Sequence, residues 1–286
     1  MEVIRSMRIE SHCRMLALVL LGSGLGCSKA EKAPEPGPPA AVLPPTVHVT
    51  ATDYSFEAPD SLPAGLTSFH LMNNGKEVHH LVLYKLSEGQ TSQDFLKAMS
   101  GPIPSTAVML GGPNPAVPGS TAEATVNLKP GKYAMFCVIP AADGKPHIMK
   151  GMIRELTVTP SEIVVTEPLA DITIKLTDYA FEISPALTAG HHVIRVEDSG
   201  PQPHELVLVK LEPGKTVQQM AQWSEKMEGP PPGTFLGGVS PITIGEASFI
   251  TVDLTPGEYG LLCFLPDAKD GKPHVMHGMS KQVTVM

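Results

Sequence analysis

Two stretches of the chain carry a cysteine, a histidine and a methionine in the same order. Residues 133–152 read YAMFCVIPAADGKPHIMKGM and supply Cys137, His147 and Met152; residues 259–279 read YGLLCFLPDAKDGKPHVMHGM and supply Cys263, His274 and Met279. Some sixty residues upstream of each cysteine, a further histidine leads into an apolar run. His79 precedes LVLYKL and His204 precedes LVLVKL, each with one residue between. A thiolate, two imidazoles and a thioether form a soft four-donor set, which suits copper better than a hard, oxygen-seeking ion.

The donors recur because the chain repeats itself. Asp53-Tyr54-Ser55-Phe56-Glu57 matches Asp178-Tyr179-Ala180-Phe181-Glu182, Gly111-Gly112 matches Gly237-Gly238, and Leu128 to Tyr133 matches Leu254 to Tyr259. The offset grows only from 125 residues at the start to 127 at the end, so two copies of one fold are expected. The expected divisions are an export signal at 1–27, a Pro-rich tether at 28–45, a first domain at 46–159, a linker at 160–170 and a second domain at 171–286.

Within each copy the apolar residues have the period of strands. Val47, Val49 and Ala51 alternate with polar neighbours, as do Ile172, Ile174 and Leu176. Further strands are expected over 68–72, 79–86, 122–128, 132–138 and 153–158, and over the matching parts of the second copy. With 29 prolines and 26 glycines among 286 residues, short strands and tight turns fit better than long helices. The fold class expected is all-β, two tandem Greek-key β-sandwiches, each with one short helix inserted. Thr91 with Asp94, and Thr216 with Gln219, have capping-box spacing and mark the helix starts. The Gly- and Pro-rich segments 101–120 and 229–245 read as long irregular loops, and the Ile-Val-Val run inside 160–170 as a brief strand.

The N-terminus reads as a targeting segment. Arg5, Arg8 and Arg14 precede an apolar core and a run of small residues ending at Cys27. Gly26-Cys27-Ser28 resembles the cleavage site of a bacterial lipoprotein, with Cys27 the lipidated first residue and ordinary secretion the alternative; either way the protein is exported to the periplasm or the outer cell envelope. Export leaves Cys137 and Cys263 as unpaired thiols in an oxidising compartment, which calls for burial or a metal to protect them. A net charge of -8 argues against nucleic acid as the partner.

On these residues the chain resembles the cupredoxins, small blue-copper β-sandwiches. The resemblance implies one type 1-like copper per domain, two in total, held by His79, Cys137, His147 and Met152 and by His204, Cys263, His274 and Met279. Nine residues separate Cys137 from His147 and ten separate Cys263 from His274, a spacing closer to the type 1 centre of copper nitrite reductases than to plastocyanin-like members. The resemblance further implies single-electron transfer to a redox partner protein. An enzyme of the nitrite reductase or multicopper oxidase kind would place a histidine beside the cysteine, where Phe136, Val138, Leu262 and Phe264 stand. These four read instead as an apolar surround for the sulfur. His80 and His277 read as solvated or locally hydrogen-bonded, and Met149 and Met276 as core fillers or rival thioether ligands. Two other roles are compatible with the residues: copper sequestration or delivery, and a metal-free structural or binding pair.

Overall fold

The computed structural model of the chain describes residues 43–99 and 108–286. The expected export signal, Cys27 and most of the tether lie outside the described residues, as does part of the 101–120 segment. Among the described residues no helix is long and apolar enough to cross a membrane.

The alternating segments form strands with one buried face. In β1 (Thr46–Thr52), Val47, Val49 and Ala51 are buried between exposed or half-buried neighbours, as the two-residue period of a pleated strand requires. The first half continues through β2 (Ser55–Glu57), β3 (Ser61–Pro63), β4 (Gly65–Asn73), β5 (Val82–Lys85), α1 (Ser92–Ala98), β6 (Thr121–Leu128), β7 (Gly131–Phe136) and β8 (Ile153–Thr159). The second half contains β9 (Ile172–Thr177), β10 (Ala180–Ser184), β11 (Gly190–Asp198), β12 (His204–Leu211), α2 (Val217–Ser224), β13 (Gly233–Ile242), β14 (Ala247–Leu254), β15 (Gly257–Leu262) and β16 (Ser280–Val285).

Each half is a two-layer sandwich. Strands in the order β2-β1-β4-β6 face β3-β8-β7-β5, and β10-β9-β11-β14 face β13-β12-β15-β16. Inward residues of both layers fill the space between them, with Val49, Phe69 and Leu71 against Leu83, Met135 and Leu156 in the first half. Burying such a side chain contributes about 1.5–3 kcal/mol. The Tyr133 hydroxyl closes the β6–β7 corner by donating to Lys129 O at 2.8 Å, and Tyr259 repeats this on Thr255 O at 2.8 Å. Both helices start at the expected capping boxes, on Thr91 with Asp94 and on Thr216 with Gln219. They cover the outer face of the sandwich, where Phe95 packs on Tyr84 and Phe136 with ring centroids 4.3 and 4.9 Å away.

Three expectations are corrected. The segment 229–245 is not an irregular loop, because β13 runs through it and pairs with β12. In the first half the matching segment makes bridges, His79 with Ala116 and Tyr84 with Met109, in place of a continuous strand. Proline and glycine hid this strand in the sequence, since both are poor strand formers except at edges and bulges. Secondly, the Ile-Val-Val run of the linker forms no strand, and Ile163 and Val164 are exposed. Thirdly, the strand expected over 79–86 is regular only over Val82–Lys85, whereas its counterpart β12 spans His204–Leu211.

The halves share structure along both layers. β6 and β14 pair through Thr125 and Val126, joining two four-stranded layers into one eight-stranded sheet. On the other layer, Gly111 N–H donates to Pro241 O at 3.0 Å and Ser240 N–H to Gly112 O at 2.8 Å. This approach requires glycine: a Cβ on Gly111 would lie 2.8 Å from Val239 Cγ1, and one on Gly238 would lie 2.8 Å from Asn114 O.

One position differs between the copies in a way that bears on stability. Asn73 of β4 donates its amide to Glu77 O and Ala116 O at 2.8 and 2.9 Å. Its counterpart Asp198 accepts from Gly200 N–H at 2.9 Å, but its buried Oδ2 has no partner. Burial pushes the Asp198 carboxyl up to about 7 from its ordinary 3.8. The folded form therefore holds the proton more tightly than the unfolded chain, so this contribution to stability is greatest below about pH 4 and is lost as pH rises to about 7. Asp198→Asn, which supplies the amide of the first copy, is expected to raise the thermal midpoint at pH 8 by roughly 3–6 °C and to leave it nearly unchanged at pH 4. Equal effects of the substitution at both pH values, in thermal unfolding followed by circular dichroism, would refute this assignment.

Candidate metal centres

The hairpin between β7 and β8 brings Cys137, His147 and Met152 to one end of the sandwich. Cys137 N–H donates to Met152 O at 3.2 Å and Met152 N–H to His147 O at 3.0 Å. The long loop is pinched off by a bridge between Pro140 and Pro146, after which His147 N–H returns to Ile139 O at 3.0 Å. A tight turn at His147–Lys150 then ends on Gly151 in the left-handed conformation, the usual place for glycine at a helical stop. The second half repeats each step, with Pro266 bridged to Pro273 and His274 N–H on Leu265 O at 2.8 Å. The extra loop residues are thus extruded, and their number does not alter where the histidine lands.

The upstream histidines arrive from the facing part of the same sheet. His79 Nδ1 lies 3.1 Å from His147 Nδ1, and Cys137 Sγ lies 3.5 Å from that nitrogen. In the second half, His204 Nδ1 lies 3.1 Å from His274 Nδ1, and Cys263 Sγ lies 3.3 Å from it. Within each trio the donor atoms lie within 4.8 Å of one another, and all six side chains are buried. Met152 and Met279 are also fully buried, in the same core clusters as the two cysteines.

The outer nitrogens face carboxylates. His147 Nε2 lies 2.7 Å from Glu77 Oε2, and His204 Nε2 lies 2.9 Å from Asp178 Oδ1. The other two approaches are looser, His79 to Asp53 at 3.5 Å and His274 to Asp267 at 3.9 Å. A carboxylate only accepts, so it holds the proton of His147 and of His204 on Nε2 and leaves one Nδ1 lone pair facing inward in each half, while His79 Nε2 and His274 Nε2 have no hydrogen-bond partner. Burial lowers the His79 and His204 pKa values, and takes His274 down to about 4, favouring neutral rings at pH 7. The two Nδ1 atoms of each pair stand 3.1 Å apart, close enough to share a ring proton or for both lone pairs to reach one cation. Nitrogens about 2.0–2.1 Å from one metal ion and about 100° apart around it would be separated by about this distance. The residues present therefore fit a metal. Burial also pushes the Cys137 thiol up to about 12 and raises Cys263 well above its ordinary range. A bound metal ion would displace that proton, since a coordinating thiol is deprotonated outright.

Several neighbours differ from the sequence reading. Phe136 and Val138 do not surround the sulfur: they pack beneath α1, on the opposite side of the strand from Cys137. Leu262 and Phe264 do the same beneath α2. Alternation along a strand dictates this. Met149 and Met276 are 56% and 58% exposed on the outside of their turns, so neither fills the core. His277 contacts Asp270 at 3.1 Å, and His80 is buried and hydrogen-bonded to Asn114 at 3.2 Å. The carboxylates of Asp53, Glu77, Asp178 and Asp267 were missed as functional groups. Asp53 and Asp178 stood in the repeated DY-x-FE motif, whose recurrence was the one signal available.

No family model matches the chain, and no curated protein matches it. Among solved structures, auracyanin A from Chloroflexus aurantiacus, described as a "blue" copper protein, is similar at 21% identity over 41% of this chain and 99% of that one, with a TM-score of 0.31. The dithionite-reduced auracyanin of Roseiflexus castenholzii is 21% identical over 40% of this chain and 97% of its own, with a TM-score of 0.30. The blue copper oxidase of Nitrosomonas europaea is 14% identical over 85% of this chain and 86% of its own, with a TM-score of 0.27.

Proposed function

We propose that the chain is a cupredoxin-like electron carrier of the cell envelope, holding one type 1-like copper in each half. The observation that carries this reading is the convergence, in each half, of two inward imidazole nitrogens and a cysteine sulfur in a pocket closed to water. Two histidines and one thiolate around a metal, with a methionine as weak axial donor, make up the ligand set of blue-copper electron transfer. In the first half His79, Cys137 and His147 would form the plane and Met152 the axial donor. His204, Cys263, His274 and Met279 take these places in the second.

Copper held this way supplies a one-electron couple, and the chain's own residues keep the rearrangement small. The carboxylates fix ring tautomer and orientation. The hairpin ties Cys137, His147 and Met152 together through backbone hydrogen bonds, which limits how far these donors can move apart. Burial of every donor leaves no wet coordination position for substrate, which separates this reading from copper catalysis at an open site. Export by a signal at 1–27, with a lipid at Cys27 and the 28–45 segment as tether, would place the carrier where soluble or membrane-bound redox partners reach it.

The purified chain, loaded with Cu(II), is expected to bind about two coppers and to show an intense visible thiolate-to-copper band. Cys137→Ser and Cys263→Ser should each remove one copper's share of that band, and the double variant all of it. A parent protein that binds no stoichiometric copper would sink the reading. Tight Cu(I) uptake without the band would point to copper delivery instead.

Glu77→Gln tests the carboxylate, and the fold tolerates glutamine there because Gln202 occupies the matching position. First-half copper affinity is expected to fall about 10–100-fold, read by competition with a chelator, while the second half is unaffected. Unchanged affinity at the first site would show that Glu77 does not position His147.

A further inference from the structure

Between the halves lies a buried polar chain that the ligand sets do not account for. Val138 N–H donates to His80 Nε2 at 3.0 Å, so the His80 proton sits on Nδ1, which donates to Asn114 Oδ1 at 3.2 Å. Asn114 Nδ2 crosses to the second half and donates to Glu205 Oε2 at 2.9 Å, while Phe264 N–H donates to Glu205 Oε1 at 2.9 Å. All three side chains are buried. The ends of the chain meet the two cysteines: His80 N–H points at Cys137 Sγ at 3.5 Å, and Phe264, whose N–H bonds to Glu205, directly follows Cys263.

A purely architectural role accounts poorly for this arrangement. Burying a histidine, an asparagine and a glutamate costs desolvation that apolar side chains would avoid. Other buried hydrogen bonds across the same contact, Ser240 Oγ to Leu81 O and Ser248 Oγ to Leu110 O at 2.7 Å, only satisfy backbone carbonyls. The path through Asn114 instead links a residue whose N–H touches Cys137 Sγ to one whose carboxylate binds the residue after Cys263. Covalent and hydrogen-bonded links couple an electron donor to an acceptor better than gaps across packed apolar atoms.

We propose that the path from Cys137 through His80, Asn114 and Glu205 to Cys263 carries electrons between the two centres, so that they exchange charge within one molecule. The inference rests on the copper reading above. One electron leaves a Cu(I) centre and reduces the Cu(II) centre of the other half; no bond forms or breaks and no co-reactant is consumed. The ends are chemically unlike, imidazole beside Cys137 and carboxyl beside Cys263, which gives the two centres different environments and makes exchange between them observable.

The test uses the full chain with both sites loaded, reduced by less than one electron per molecule in a radiolytic pulse. Cys137→Ser and Cys263→Ser supply the spectrum of each centre alone. After the pulse, a first-order redistribution between the two bands is expected, at a rate independent of protein concentration. Asn114→Leu, and the smaller Asn114→Ser should the first not fold, are expected to slow it at least about tenfold at unchanged copper content. Ser240→Ala, which removes a buried cross-half hydrogen bond outside the path, should leave it unchanged. In metal-free protein the His80 Nδ1 proton should give a slowly exchanging imidazole resonance that the Asn114 variants lose. Redistribution that depends on concentration, or that proceeds equally fast in the Asn114 variants, overturns this inference alone. A parent protein without copper overturns the carrier reading and this one with it.

Discussion

The structure depends on holding two imidazoles Nδ1 to Nδ1, beside a thiol, in a buried space. Such a group of donors is unfavourable by itself, because buried polar atoms need partners. What sustains it is the rigidity of the surroundings. One histidine enters at or just ahead of a strand, the other is fixed by a pinched hairpin, and a carboxylate holds the outer proton of one ring in each half. The sandwich holds these donors as a clamp, and a bound cation would satisfy the inward nitrogens and the sulfur together.

The clamp explains why loop length matters little. The insertion between cysteine and histidine is closed off by the Pro140–Pro146 and Pro266–Pro273 bridges, which return the chain to the register it would have had with a shorter turn. The copies differ by one residue in that insertion, yet His147 and His274 make the same backbone hydrogen bonds and stand the same 3.1 Å from the facing nitrogen. Most residues outside that closed pair of hydrogen bonds extend into solvent, and Asp267, the buried one in the second half, turns back toward His274.

Much of this was legible in the sequence, and the reason is repetition. The His, Cys and His donors of each half were identified because they recurred in order, and the structure brings them together; the strands followed from alternation and both helices from their caps. What escaped depends on distant contacts. β13 contains Gly237-Gly238 and Pro241, which read as loop, and becomes a strand because β12 and the first half flank it. Asn114 looks like any turn asparagine, and its role appears only once His80 and Glu205 stand on either side of it. Phe136 and Val138 were assigned to the sulfur by adjacency alone, and alternation along the strand sends them to the other face.

The copies also show what is constrained and what is free. Asp53 and Asp178 are matched positions, but the partner of the hairpin histidine is Glu77 in the first half and Asp267 in the second, where Gln202 replaces Glu77 and Ala141 stands opposite Asp267. The tight contact has moved as well: it lies on His147 in one half and on His204 in the other. Two acidic groups still face the outer nitrogens of each pair. Had the requirement been a particular hydrogen bond, the donors and acceptors would have stayed in register between the copies. A requirement for negative charge near the outer edge of each ring is satisfied from any backbone position within reach, and that is the pattern the two halves share.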